Sequence, residues 1–438
     1  MNKRDDHHAG VGSRLRLIPH TERWRRRTRI ALYSHDTMGL GHMRRNLLIA
    51  QALMRTPSPP IILMIAGARE AGALPIPPGV DCLTLPAFGK DTEGRTCSRH
   101  LEIHHSELAA LRSRTIAAAI DTFKPDVLIV DKVPRGAGHE LDATLRNLSE
   151  HGLTRCVLGL RDVLDDAETV RREWREAKTE ETINESYDAV WVYGDAALYN
   201  PVREYGFSRE VAAKVRFTGY LDQRLRLLAS AQDDGNPGLD LPDGRIALCL
   251  VGGGQDGSEL AEAFAQTTLP ADMTGVLLTG PYLPAESRQR VLRAAERSNQ
   301  LRVVEFLTEP SSLLRRADRV ISMGGYNTVN EILSFRKTAL VVPRIKPRLE
   351  QRIRAERLRD LGLLDMLPPD RLSPQALGDW LQRDLPTPPS VHDRFNWKGL
   401  DNLPGLVDEL LAAPPWKVRH YFPEPENPHA TENLYATC

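Results

Sequence analysis

The 438-residue chain is poor in cysteine, has no surplus of either charge and contains no long apolar run, and each shortage excludes something. Its five cysteines, Cys82, Cys97, Cys156, Cys249 and Cys438, show no C-x-x-C spacing. They are expected to be reduced thiols, buried or incidental, of a cytosolic protein. Lys plus Arg and Asp plus Glu both number 58, so the charge balance does not point to nucleic acid as a partner. No stretch approaches the ~20 apolar residues of a membrane span, and the N-terminal charges are not followed by an apolar leader core. A spanning helix is therefore not expected. Weak peripheral contact at the inner face of an anionic membrane stays open through Arg23-Trp24-Arg25-Arg26-Arg27, where each cation contributes about 1 kcal/mol. The plainer reading of residues 1–28 is a basic, disordered, solvated tail. There is no short-period repeat, no heptad array and no Asp-x-Asp pair of the kind that holds a metal.

What the chain does contain is a duplication. Arg-Ile-Ala-Leu occurs at 29–32 and again at 245–248, each time running from a short apolar strand into a glycine loop and then a helical pattern. The first copy leads into Gly39-Leu40-Gly41-His42, the second into Gly252-Gly253-Gly254-Gln255. Strand, glycine loop and helix open a doubly wound α/β unit, with loop amides and a helix N-terminus able to meet an anion. Further continuous apolar runs, among them Val127–Asp131, Cys156–Leu160, Val320–Met323 and Ala339–Val342, alternate with helical patterns such as Glu102–Phe123. Runs of that kind form parallel sheets covered on both faces. The expected fold class is α/β, two Rossmann-like doubly wound domains facing a central cleft. The expected divisions are an N-terminal domain over 29–230, a breaker-rich linker over 231–244, a C-terminal domain over 245–413 and a polar, Pro-rich tail over 414–438.

The segment from Ser322 through Gly324, Gly325, Asn327 and Thr328 to Glu331 leaves a strand and enters a helix. Thr328-x-x-Glu331 also fits a capping box, in which Glu331 would merely satisfy a backbone amide. The strand Ala339–Val342, Pro343 and the pair Glu350-Gln351 follow in order. With the two glycine loops, this ordered set resembles the MurG-like nucleotide-sugar glycosyltransferases of the GT-B fold over roughly residues 29–410. The resemblance implies inverting, metal-independent transfer of a sugar from a nucleotide-sugar donor, UDP-linked, to an acceptor hydroxyl, with no cofactor. It implies contacts to the diphosphate or base from Gly41, Gly253, Gly254 and Gln255, and to the phosphates from Gly324, Gly325, Asn327 and Thr328. Ribose would fall to Glu331 and the donor sugar hydroxyls to Glu350 and Gln351. One departure is Met323, where many relatives carry a His or Arg that faces phosphate.

For the general base, His42 occupies the place of a functional histidine in that family, and a neutral imidazole suits a hydroxyl nucleophile. Asp131, Asp162 and His35 are rivals, each at the C-terminal end of an expected strand, where open α/β sheets line their clefts. Arg161 is a candidate for a phosphate or an acidic acceptor. The acceptor region, about 90–105, carries no readable motif, and its His100, His104 and His105 point to different faces rather than forming a metal set. The same scaffold also serves nucleotide-sugar 2-epimerases or hydrolases, and a non-catalytic nucleotide-sugar binder.

Overall fold

The computed structural model describes residues 27–35, 41–67, 76–90, 96–229, 244–307 and 309–414. The expected tails and linker, together with Gly39 and Leu40, lie outside these residues, apart from 27–28, 244 and 414. Arg27, the last cation of the basic run, donates to the carbonyls of Pro59 and Pro60 at 2.9 and 3.1 Å, so it is held against its own domain.

Two parallel sheets form the molecule. The first contains β1 (Arg29–Ser34), β2 (Ile61–Ala66), β3 (Val80–Thr84), β6 (Val127–Asp131), β7 (Arg155–Arg161), β8 (Ala189–Tyr193) and β9 (Val215–Phe217), in the order β3-β2-β1-β6-β7-β8-β9. The second contains β10 (Arg245–Leu250), β11 (Met273–Leu278), β12 (Leu301–Val304), β13 (Arg319–Ser322), β14 (Thr338–Val341) and β15 (Asp365–Met366), in the order β12-β11-β10-β13-β14-β15. In both, the strand order reverses beside the first strand, which places a crevice at the strands' carboxyl ends. A small antiparallel pair, β4 (Phe88–Lys90) and β5 (Thr96–Ser98), stands apart from both sheets.

The duplicated tetrapeptide explains how the halves share a core. Alternate residues of a strand face opposite sides of its sheet. Ile30 and Leu32 of β1 therefore enter the same apolar cluster as Ile246 and Leu248 of β10. Ala31 and Tyr33 turn to the opposite face of the first sheet, and Ala247 and Cys249 to the opposite face of the second. Burial of Cys156 and Cys249 within strands pushes both thiols up, away from the reactive thiolate.

Five helices position the site: α1 (Gly41–Met54), α2 (His105–Phe123), α3 (Tyr326–Ser334), α4 (Glu350–Asp360) and α5 (Gly399–Ala412). Helix α2 begins later than the periodicity suggests because His104 accepts from the amide of Ser106 and caps it. Helix α5 closes the described C-terminal region. It packs on α1 of the first half, with Leu400, Leu403 and Val407 in the same cluster as Leu47 and Leu48. An amphipathic pattern specifies a buried face but not the sheet that buries it.

The chain thus crosses between halves twice, and the two crossings run side by side. The Tyr220 amide donates to the Asn396 carbonyl at 2.8 Å, the Gly399 amide to the Tyr220 carbonyl at 3.0 Å, and the Tyr220 and Trp397 rings stack at 4.6 Å. Gly219, with φ +87°, permits this approach, since a Cβ there would lie 2.5 Å from Asn396 Oδ1.

Candidate functional site

The carboxyl ends of both sheets face one cavity of about 290 Å³. Its first-half wall is the start of α1 with Arg161. Its second-half wall is formed by Gly252 and Gly253, the loop after β11 through Tyr282, the residues after β12 around Phe306, and the start of α3. Two glycines make that wall compact. At Gly254, φ +93°, a Cβ would sit 2.3 Å from the Thr279 carbonyl oxygen, and at Gly280, φ +73°, 2.4 Å from that of Gly252.

On the first-half side His42, in the opening turn of α1, meets Asp131, the last residue of β6. His42 Nδ1 lies 2.6 Å from Asp131 Oδ2, and Arg45 Nη2 donates to both Asp131 oxygens at 2.8 and 2.6 Å. Pairing of β1 with β6 puts the end of β6 beneath α1. A buried carboxylate already paired with a guanidinium accepts a proton rather than offering one, so Nδ1 carries the hydrogen and Nε2 keeps its lone pair. His42 lines the cavity, and its side chain is 17% exposed. Burial lowers its pKa to about 4 against the opposing pull of Asp131, and Arg45 and His42 hold Asp131 well below the usual carboxylate range in spite of its burial. Asp131 is thus engaged by His42 and Arg45 and lies outside the cavity lining. His35 stacks on His42 at 4.6 Å between ring centroids and is buried and held neutral, away from the cavity lining.

On the second-half side the amides of α3 point into the cavity. The helix is capped by the backbone of Gly325, with no side chain on its first amides. With the cap at Gly325, the Thr328–Glu331 capping box does not form. Glu331 instead lines the cavity, its Oε1 2.5 Å from Arg226 Nη1. Burial raises its pKa, opposed by Arg226 and Arg44. Asn327 lines the cavity too, but its side-chain amide donates to the Gly41 carbonyl at 2.8 Å, joining α3 to α1 across the cleft. Tyr326 makes a second tie, its hydroxyl donating to the Tyr193 carbonyl at 2.7 Å.

The remaining expected site residues fall elsewhere. Asp162 is filled: Oδ2 accepts from the Tyr220 hydroxyl at 2.8 Å, and Oδ1 from the Val163 amide and Arg354 Nη2 at 2.7 and 3.0 Å. It pins α4 to the first sheet and is not placed to remove a proton. Gly254 stands behind the wall that Gly253 lines, and Gln255 is exposed. Gly324, at φ +83°, makes the turn into α3, and its carbonyl faces Arg354. Glu350 Oε1 accepts from Arg344 Nη2 at 2.7 Å and Gln351 Oε1 from the Arg344 amide at 3.0 Å, both at the edge of the site rather than in its lining. Met323 packs against the outer apolar cluster of the second sheet. Sequence reasoning did not single out Arg44, Arg45, Arg226 or Tyr282. Arg44 and Arg45 follow His42 directly, which was the available signal, whereas Arg226 reaches Glu331 only through the fold.

Residues 248–391 match the family model described as glycosyltransferase family 28 C-terminal domain. Over 149 residues, 33% of this chain and 41% of the relative, the sequence is 29% identical to UDP-N-acetylglucosamine--N-acetylmuramyl-(pentapeptide) pyrophosphoryl-undecaprenol N-acetylglucosamine transferase of Sulfurihydrogenibium sp. (strain YO3AOP1). The match thus spans about two fifths of that protein. Among solved structures, UDP-GlcNAc 2-epimerase from Methanocaldococcus jannaschii is similar at TM-score 0.56 and 15% identity, over 88% of this chain and 100% of that one. The glycotransferase of kitacinnamycin is similar at TM-score 0.52 and 17% identity, over 90% and 98%. These likenesses show the two-domain GT-B fold. Among the described residues no helix is long and apolar enough to cross a membrane.

Proposed function

As the second half of this chain belongs to glycosyltransferase family 28, the MurG-like glycosyltransferases of GT-B fold, we propose that the protein moves a sugar from a UDP-linked donor to an acceptor hydroxyl, with inversion and without a metal. The donor lies along the second-half wall, its diphosphate on the open amides of α3 and its ribose diol on Glu331, whose free oxygen accepts while Arg226 holds the other. Arg44 and Arg161 line the same cavity and meet the charge that grows on the departing diphosphate. The acceptor comes from the first half, its hydroxyl donating to His42 Nε2.

As the acceptor oxygen attacks the anomeric carbon, His42 takes its proton, and the imidazolium that forms is stabilised by Asp131. Arg45 balances the Asp131 charge before the reaction, so the triad is neutral at rest and holds one proton more in the transition state. A ring kept neutral by burial is free to accept at pH 7. The observation that carries this reading is the His42–Asp131 hydrogen bond on the wall facing the open end of α3.

The test pairs binding with turnover. His42→Ala should bind UDP within twofold of wild type in calorimetry and release UDP from UDP-sugars at least 100-fold more slowly in the presence of acceptor. Unchanged turnover would exclude His42 as the base. Incubation of UDP-N-acetylglucosamine without acceptor separates transfer from the 2-epimerase reading, since accumulation of the C2 epimer would overturn transfer.

A further inference from the structure

Tyr326 is the first residue of α3, directly after the open backbone cap at Gly325. It lines the cavity, and most of its bulk lies in the apolar cluster that the two halves share. Packing alone would account for a large ring there, but its polar and electrostatic contacts go further. The hydroxyl donates to the Tyr193 carbonyl, at the carboxyl end of β8, at 2.7 Å. Burial pushes the phenol up, so it stays a neutral donor through the working pH range.

Two buried guanidiniums lie over its ring, Arg45 from the first half at 5.4 Å from the centroid and Arg354 from the second at 5.5 Å. An aromatic face attracts a cation, most strongly where water is excluded. Each arginine is fixed at its far end by a carboxylate of the first sheet. Arg354 meets Asp162 at 3.0 Å, and Asp162 also accepts from Tyr220 in the crossing between the halves. Arg45 meets Asp131, which holds His42. The contacts thus run from the crossing to His42, and at Tyr326 they enter the turn whose amides face the cavity.

Arg45 depends on that ring. Its Nη2 lies against Asp131 and 2.9 Å from His42 Nδ1, its Nε is buried without a partner, and the Tyr193 ring is 5.7 Å away. The charged and titratable groups around His42 are Asp131 and Lys132 at the end of β6, Arg45 on its own helix and His35 at the end of β1. Asp131 favours the imidazolium and Arg45 opposes it, so the seat of Arg45 sets how readily His42 accepts a proton. We propose that Tyr326 is a positioning residue of the reaction: its hydroxyl fixes the first turn of α3 to the histidine-bearing half, and its ring seats Arg45 beside Asp131, keeping donor and base in register. This rests on the glycosyltransferase reading above.

Tyr326→Phe and Tyr326→Met separate the two contacts, since Phe keeps the ring without the tie and Met fills much of the volume with neither. UDP binding is read by calorimetry, turnover as UDP release from UDP-N-acetylglucosamine, and the state of His42 by NMR titration of carbon-13-labelled histidine, its resonance assigned by loss in His42→Ala. Both variants should bind UDP within twofold of wild type. Tyr326→Phe should slow release at least fivefold with the His42 midpoint unchanged. Tyr326→Met should slow it further and raise the midpoint by at least half a pH unit. A packing role alone would lower Tm and leave release and midpoint as in wild type, which would overturn the proposal. Wild-type release in Tyr326→Phe would overturn the tie, and a midpoint raised equally in both variants would overturn the seat. The Phe variant gives up one hydrogen bond and no ring, so it decides the tie even where the Met variant fails to fold. Absence of release by wild type would overturn the transfer reading, while the His42 midpoints would still decide this one.

Discussion

Asp131→Asn tests the site most severely, because it removes one negative charge and leaves the shape of the side chain. In the folded protein Asp131 is fully buried and accepts from both His42 and Arg45. Without its charge, Arg45 is a buried cation with a side chain 3% exposed, left with the His42 Nδ1 atom at 2.9 Å and the rings of Tyr193 and Tyr326 at 5.7 and 5.4 Å. Breaking a buried pair from one side costs about 3–5 kcal/mol. At roughly 2–4 °C per kcal/mol for domains of this size, Tm should fall by about 6–20 °C. The loss to catalysis is separate: a hydrogen bond to a charged group is worth about 1.5–3 kcal/mol, so turnover should fall roughly 10- to 150-fold as His42 loses its tautomer and orientation. The comparison that isolates the argument is His42→Ala, which keeps the Arg45–Asp131 pair. It should match or exceed the loss in turnover with only a small change in Tm. Both variants are measured by thermal unfolding followed by circular dichroism and by UDP release under saturating donor. An Asp131→Asn protein that melts within 2 °C of wild type would refute the buried-pair reasoning, and one with wild-type turnover would refute the orienting role.

Four further outcomes follow from the same geometry. Because burial lowers His42 to about 4, its ring is neutral at pH 7 and, with His42 as base, the acid limb of kcat/KM should fall near pH 4; a limb at 6.5 would show an exposed, unperturbed imidazole. The same shift makes the folded state resist protonation that the unfolded chain accepts near 6.5, so this group's contribution to stability is complete above pH 6.5 and is lost as pH falls toward 4, as acid titration of Tm will show. Glu331→Gln should weaken UDP about 10- to 150-fold in calorimetry, a loss of about 1.5–3 kcal/mol, while Arg226 keeps Glu309 at 3.0 Å; equal loss for a nucleotide lacking both ribose hydroxyls would detach Glu331 from the ribose. Gly219→Ala forces a β-carbon into left-handed backbone and against Asn396, so Tm should drop by the equivalent of at least 1–2 kcal/mol, and an unchanged melt would deny the close crossing.

Much of the architecture was legible because each strand of a parallel sheet is apolar on both faces and each glycine loop marks where the backbone must bend. The two copies of Arg-Ile-Ala-Leu could be seen as equivalent openings, though not that their Ile and Leu side chains would meet in one shared cluster. His42, Asp131 and Asp162 could be listed as polar residues near strand ends. Which of them bond was hidden, since His42 and Asp131 are 89 residues apart and the Asp162–Arg354 pair spans 192. Glu331 illustrates the same limit: its spacing from Thr328 imitates a capping box, and only the cap at Gly325, set by the turn at Gly324, rules that out. The small strands β3, β4, β5 and β15 escaped notice because short edge elements bury too few side chains to leave a pattern.

The return of α5 to α1 has a consequence for how the molecule holds together. Topologically, the half built on the second sheet is an insertion within the other half, whose own last layer is supplied only after the insertion has been traversed. Truncation ahead of Gly399 would therefore strip apolar cover from the histidine-bearing half while leaving every strand of both sheets in place. The chain cannot be divided into two autonomous pieces by a single cut between them, and damage at its far end is felt beside His42.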